Sequence, residues 1–381
     1  MKTGLRSCSH LCAAAATTPS TSSAISALST TATSTVLFRF GVIADVQYAD
    51  VDNVFNYSHT KTRYYRRSAG ALKQAIDWWN SFCFIVNLGD LIDGRNKGLD
   101  CQDAAMGKVM LQVDALKCPK VVHMIGNHEL YCFTRSDLSK PHIFPPSRSP
   151  YCLNRSAQLG CDEYPTKEPS SFYYSFKPAD NWLVVVLDPY DTSVMRDGGG
   201  RHGYELTKDH GLDPQGYQLC QSHNPNKIDG KTDFFAGLTG LESRWAPVNG
   251  AVGKEQLSWL RGVLRSCHDR GTNVIILSHV ILHPQATRNN NCRGLLWNYD
   301  DVLKAIYDLP CTRLVVCGHI HNEVYHLDNH GESSVLMGFG LVTPNVPYPE
   351  FGHSGWRAEK PTEVSISELH PFRRKFDPQQ M

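Results

Sequence analysis

Five apolar runs in this chain end in the same kind of residue. TVLFRFGVIAD runs out at Asp45 and Gln47, FCFIVNLGD at Asp90 with Asp93 just beyond, and KVVHMIGNHE at Asn127, His128 and Glu129. NVIILSH ends at His279, and TRLVVCGHIH at His319 and His321. Taken singly, each ending reads equally well as a turn or a helix cap. Between the runs lie helical segments. TRYYRRSAGALKQAIDWWN places Tyr65, Ala69, Leu72, Ile76 and Trp79 on one face, at spacings of three and four. CQDAAMGKVMLQVDALK, GKEQLSWLRGVLRSCHDRG and YDDVLKAIYDL follow the same habit; the second of these turns Leu257, Leu260, Leu264 and Cys267 inward and stops at Gly271. Strand, helix, strand, helix, strand implies right-handed parallel crossovers, so the strand ends face one way. In an open α/β sheet that carboxyl edge is where sites form.

The donors delivered to that edge are hard oxygens from Asp45, Gln47, Asp90 and Asn127, with imidazoles from His279, His319 and His321. Such a mixture suits Mn²⁺, Fe²⁺ or Zn²⁺, and the absence of cysteine from the set argues against a structural zinc. The donors are too many for one ion and fit two ions that share a carboxylate.

Elsewhere, SSFYYSFKPADNWLVVVLDPY reads as a hairpin turning at residues 178–181. EVYHLD and SSVLMG read as a second hairpin, turning at Asn329-His330-Gly331. Two stretches, from Leu130 to about Ser170 and from 191 to 250, read as loop-rich insertions of the kind that carry binding residues. No internal repeat is present. The formal net charge of +1 gives no reason to expect a nucleic-acid surface, and no apolar run approaches the roughly 20 residues of a membrane span. Nothing in the pattern calls for a second copy, so a monomer is expected.

Thirteen cysteines without a CxxC pair read as reduced thiols, with Cys83 and Cys317 as small hydrophobes inside strands. Bridges among Cys132, Cys152 and Cys161 are the alternative. Residues 1–35 are rich in Ala, Ser and Thr and hold no carboxylate. They read either as a disordered tail on a cytoplasmic protein or as a transit peptide, which would direct it to a plastid.

The blocks D-x-Q, G-D-x-x-D-G, G-N-H-E, S-H and G-H-x-H, in that order from about Phe38 to Leu336, resemble the calcineurin-like metallophosphoesterases. The resemblance implies an α/β fold, a four-layer α/β/β/α sandwich with loop-rich insertions, spanning residues 36–381 as one domain. It implies that Asp45, Gln47 and His321 hold one ion, that Asn127, His279 and His319 hold a second, and that Asp90 bridges them. His128 then protonates the leaving oxygen or steadies the transition state, with Asp93 orienting it.

Most of the family carries D-x-H where this chain has Asp45-Val46-Gln47. An amide in place of an imidazole weakens the grip on soft ions and tilts the site toward Mn²⁺. With IADVQYAD, RYYRRS, GDLIDGRN, GNHELY and LDPYD, this substitution resembles a narrower group, the manganese-dependent ADP-ribose/CDP-alcohol diphosphatases. That resemblance implies two Mn²⁺ per chain, replaceable by Fe²⁺, Zn²⁺ or Mg²⁺. It also implies nucleoside diphosphate-linked small molecules as substrates, cut at the pyrophosphate. Tyr57, Phe234 and Phe235 are candidates for stacking on the base. Cys292 stands where the resembling enzymes line the base pocket. Core packing is the equal alternative for each of these four. Arg148, Arg196 and Arg201 could meet phosphate, or simply face solvent. Two rival readings are a protein phosphatase or cyclic-nucleotide phosphodiesterase, which Gln47 argues against, and a dead scaffold, against which the complete ligand set argues.

Overall fold

The structure is a computed structural model. It describes residues 36–55, 62–117, 121–140, 172–198, 213–229, 232–287, 291–321, 324–330, 333–339 and 363–367. The N-terminal segment 1–35, Tyr57, Arg148, Arg201, Cys152 and Cys161 lie outside them.

Two sheets carry the fold. The first has the order β14-β1-β4-β5, built from β1 (Val36–Ile43), β4 (Phe84–Asn87), β5 (Val121–His123) and β14 (Glu363–Ser367). Its three N-terminal strands are parallel, and β14 closes one edge antiparallel to β1. The second has the order β12-β13-β11-β10-β7-β6. Its members are β6 (Tyr174–Ala179), β7 (Trp182–Val186), β10 (Asn273–Ser278), β11 (Thr312–Cys317), β12 (Tyr325–His330) and β13 (Ser333–Phe339). The strands β7, β10, β11 and β13 are parallel, flanked by the expected antiparallel partners β6 and β12. The described residues also form two short ribbons: β2 (Val54–Phe55) with β3 (Thr62–Arg63), and β8 (Thr192–Ser193) with β9 (Gly250–Ala251).

The sheets meet through aromatic side chains. Phe40 stacks on Phe84 at 4.7 Å, Phe84 stands edge-on to Phe176 at 5.5 Å, and Phe38 is edge-on to Trp182 at 5.7 Å. Alternation along β1 sends Phe38, Phe40 and Val42 to this inner face and Gly41 to the other. There the helix Tyr65–Trp79 lies so close that a Cβ on Gly41 would sit 2.6 Å from the Trp79 ring. The helices Lys254–Arg270 and Tyr299–Asp308 pack on each other, and the first of them packs on β10. The result is the four-layer α/β/β/α sandwich.

The helical faces read from spacing are buried, and Gly271 caps its helix with φ 67°. Cys132 is a buried free thiol, in line with the reduced-thiol reading. Several readings need correction. Cys83 is an exposed thiol just ahead of β4, because that strand starts one residue later. The stretch after Leu130 opens as helix, with Asn127–Cys132 and Arg135–Leu138. The 191–250 segment holds the helix Pro214–His223, started by Asp213 accepting from the Gly216 amide. β12 runs through Asn329 and His330, so the hairpin turns later than its sequence suggests. Among the described residues no helix is long and apolar enough to cross a membrane.

Gly41→Ala is expected to lower stability by about 1–3 kcal/mol, the usual cost of forcing volume into a packed layer. A fall in the denaturant midpoint at constant slope checks it; an unchanged midpoint contradicts the packing described.

Candidate metal centre

Each expected donor sits on the first few residues beyond a strand, at one edge shared by both sheets. Backbone bonds fix these exits. Asp45 N donates to Gly89 O at 3.0 Å, Gln47 N to Asp90 O at 2.8 Å, and Gly318 N to His279 O at 2.9 Å. The sheets are tied across the site by His319 N, which donates to the Asp45 carboxylate at 3.0 Å.

Seven non-glycine residues among those described have positive φ, and five of them are expected ligands: Asp45, Gln47, Asp90, His319 and His321. The left-handed region costs an L-residue about 1–2 kcal/mol. Concentrating it at the donors turns their side chains inward together, where strain serves geometry rather than stability.

The donors converge as two groups. Asp90, His279 and His319 offer atoms within 4.8 Å of one another, as do Asp45, Asp90 and His321. Asp90 belongs to both. Asn127 joins the first group, its Oδ1 lying 3.2 Å from His279 Nε2. Two buried carboxylates, three imidazoles and a carboxamide with overlapping membership fit two divalent ions bridged by Asp90.

Gln47 is more particular. Its Oε1 accepts from Arg63 Nη1 at 2.5 Å, while Nε2 faces His321 Nε2 at 2.9 Å and Asp90 Oδ2 at 3.1 Å. Only a half-turn of that amide offers an oxygen to an ion, and the turn sets NH₂ against Arg63.

Electrostatics follow from burial and close pairing. Burial alone would raise Asp90, but His128 and His279 beside it hold its carboxyl far below the usual range. His279 is pushed to about 9; burial opposes this, and Asp90 outweighs burial. His319 falls to about 3 through burial and the charge of His279. Burial likewise lowers His321 against the pull of Asp45.

His128 stands beside the donors. Its Nδ1 is 3.3 Å from Asp93 Oδ2 and 3.0 Å from the Gly94 amide nitrogen. A proton there bonds to Asp93, and a bare nitrogen accepts from Gly94, so both states are held in one orientation. Burial would lower His128, but Asp90 and Asp93 raise it.

The substrate candidates fare unevenly. Phe234 and Phe235 lie 4.6 Å apart and half-buried, with the Arg293 guanidinium 4.5 Å over the Phe235 ring. Cys292 is buried at 2% exposure, its thiol beside Thr287. Arg196 is tied to Asp191 O and Asp197.

Four residues beyond the expected ligands and the His128–Asp93 pair shape the site. Arg63 reaches Gln47, Asp93 and His321 from β3. Glu129, the last letter of G-N-H-E, accepts from the amides of Asp90, Leu91 and Gly126 at 2.7–2.8 Å. The Tyr190 hydroxyl donates to Asn127 Oδ1 at 3.3 Å, and Asn249 meets His319 Nε2 at 2.8 Å. Glu129 had a signal in its block. Arg63 and Tyr190 lie within RYYRRS and LDPYD and Asn249 within the 191–250 insertion, none in a strand-end ligand block, and only the fold shows what they touch.

The family model of calcineurin-like phosphoesterases matches residues 38–323. The chain belongs to the calcineurin-like phosphoesterase family. Among curated proteins of that family it resembles the manganese-dependent ADP-ribose/CDP-alcohol diphosphatase of Oryza sativa subsp. japonica, 34% identical over 90% of this chain and 95% of the relative. The protein so named from Homo sapiens is 33% identical, over 77% and 80%. A solved dimetal phosphatase from Danio rerio superposes with a TM-score of 0.66 at 31% identity, covering 82% of this chain and 90% of the other.

In a phosphoesterase built this way, Asp90→Ala is expected to abolish turnover and to remove metal from both positions. A shared carboxylate is what holds two mutually repelling dications together. Elemental analysis of the purified variant checks it, and retention of both ions would contradict a bridged pair.

Proposed function

We propose that this chain is a Mn²⁺-dependent hydrolase that cleaves the pyrophosphate of ADP-ribose and of CDP-alcohols such as CDP-choline and CDP-glycerol. The products are a nucleoside monophosphate and a phosphorylated sugar or alcohol. The observation that carries the reading is the pair of donor groups joined through Asp90, with the amide of Gln47 in place of the more usual imidazole. The names borne by relatives at 33–34% identity supply the substrate class.

Asp45, Gln47, Asp90 and His321 would hold one ion, and Asp90, Asn127, His279 and His319 the other. Two such ions, when bound, activate water and neutralise the charge that develops on a phosphoryl group. The chain does the rest. His128 gives a proton to the departing phosphate oxygen, and Asp93 keeps the ring aimed through Nδ1. The Asp90 carboxylate, by accepting from the His128 amide at 2.9 Å, fixes the spacing between proton donor and donor cluster. Arg63, whose side chain is 15% exposed, adds a cation at the rim of the site, where an anionic diphosphate must enter. No Ser or Cys nucleophile is required. The partners are nucleotide-linked small molecules.

The test is a panel of ADP-ribose, CDP-choline, CDP-glycerol, cyclic AMP and a phosphopeptide, each with Mn²⁺. Hydrolysis of the first three over the last two is expected. Preference for cyclic AMP or the peptide would overturn the substrate class, and no hydrolysis at all would favour a scaffold. His128→Ala is expected to keep its metal and lose about 10²–10⁴-fold in kcat. Loss of an ion from that variant would mean that His128 is a ligand instead.

A further inference from the structure

We infer that Asn249 is a positioning residue that sets which ring nitrogen of His319 faces the metal centre. The inference rests on reading the donor cluster as that centre. Asn249 is fully buried, at the end of the 191–250 insertion, remote in sequence from every strand-end block. Its Nδ2 donates to two backbone carbonyls, Arg244 O at 2.9 Å and Arg293 O at 2.8 Å. Both hydrogens of the amide are thereby committed to atoms that only accept, so the amide cannot turn over without burying two bare carbonyls. Its Oδ1 is then fixed toward His319 Nε2, 2.8 Å away.

An amide oxygen accepts and never donates, so the ring proton of neutral His319 sits on Nε2 and the lone pair on Nδ1. The neighbouring turn presses the same way. A Cβ on Gly294 would lie 3.1 Å from His319 Cδ2 and 2.3 Å from Ile320 Cγ2, so the Cδ2–Nε2 edge of the ring faces protein. Nδ1 is the nitrogen left for the centre.

His279 is wired in the opposite sense. Its Nδ1 lies 2.7 Å from Leu88 O, a carbonyl that takes the Nδ1 proton, and its Nε2 turns to Asn127 Oδ1 at 3.2 Å and Asp90 Oδ2 at 3.5 Å. Asn127 Oδ1 and Asp90 Oδ2 belong to the donor group itself, so the acceptor behind each ring, Leu88 O for His279 and Asn249 Oδ1 for His319, leaves a different nitrogen facing the centre. For His279 the backbone makes the choice. For His319 a side chain from the insertion makes it.

The test needs no substrate. Nitrogen-15 spectra of metal-stripped protein, with His319 assigned by its loss in His319→Gln, should show the proton on Nε2. In Asn249→Ala the two tautomers should mix, and calorimetric titration with Mn²⁺ should show one of two ions bound about 10–100-fold more weakly. Adding Asn249→Ala to His319→Ala should cost no further affinity, since the residue acts through that ring. A His319 protonated on Nδ1 in the unaltered protein would overturn the inference, as would unchanged Mn²⁺ affinity or full additivity in the double variant. If Asn249→Ala fails to fold, the spectrum of the unaltered protein still decides. Failure of the proposed substrates would leave both readouts in place, so the two readings fail separately.

Discussion

The site depends on one reciprocal clamp between two loops. Glu129, buried beyond β5, accepts hydrogen bonds from the amides of Asp90 and Leu91 beyond β4 and from Gly126 in its own loop. Asp90 returns the contact by accepting from the amide of His128. Four backbone N–H groups that water cannot reach are satisfied by two carboxylates, and the segments carrying Asp90 and His128 become one body. The cost is electrostatic. Burial first, and then the charge of Asp90, push Glu129 up to about 7, against the pull of its three amides. Two negative groups packed this closely call for positive charge nearby, and His279 and His128 answer part of it.

The second dependence is on the seam between the sheets. One carries Asp45 and Asp90, the other His279, His319 and His321, so neither sheet alone makes a centre. The aromatic stack of Phe38, Phe40, Phe84, Phe176 and Trp182 sets the spacing of the sheets. His319 N on the Asp45 carboxylate sets their register at the working edge. Donor residues in left-handed backbone are tolerable there because both sides of the seam over-determine them.

The insertions add a third layer of support. Arg135 and Asp188 form a buried ion pair, and Arg135 Nη2 also donates to Tyr190 O at 2.8 Å. This holds the loop from which the Tyr190 hydroxyl reaches Asn127. Gln256, from the helix Lys254–Arg270, donates to Asp188 O and to the Asp191 carboxylate. Asn127, on β5's exit, is therefore oriented from beyond β7, through contacts made by residues separated by more than fifty positions.

Much of this was legible in the chain. Continuous apolar runs gave the strands and three-to-four spacings the helices, because the core strands are buried on both faces and the helices on one. The strand-end blocks named residues that the fold brings to one edge, Asp45, Asp90, Asn127, His279, His319 and His321 with Gln47, His128 and Asp93 beside them, because a parallel sheet gathers its carboxyl ends by topology alone. What the sequence could not hold was the edge strand β14, the helices inside the insertions, the rim position of Arg63 and the roles of Tyr190 and Asn249. The site contacts of Arg63, Tyr190 and Asn249 are with residues far along the chain, and such contacts leave no period to read. The sequence determined which atoms arrive at the edge; the tertiary structure decided how each is turned, because orientation is set by the hydrogen bond behind a ligand and not by the ligand itself.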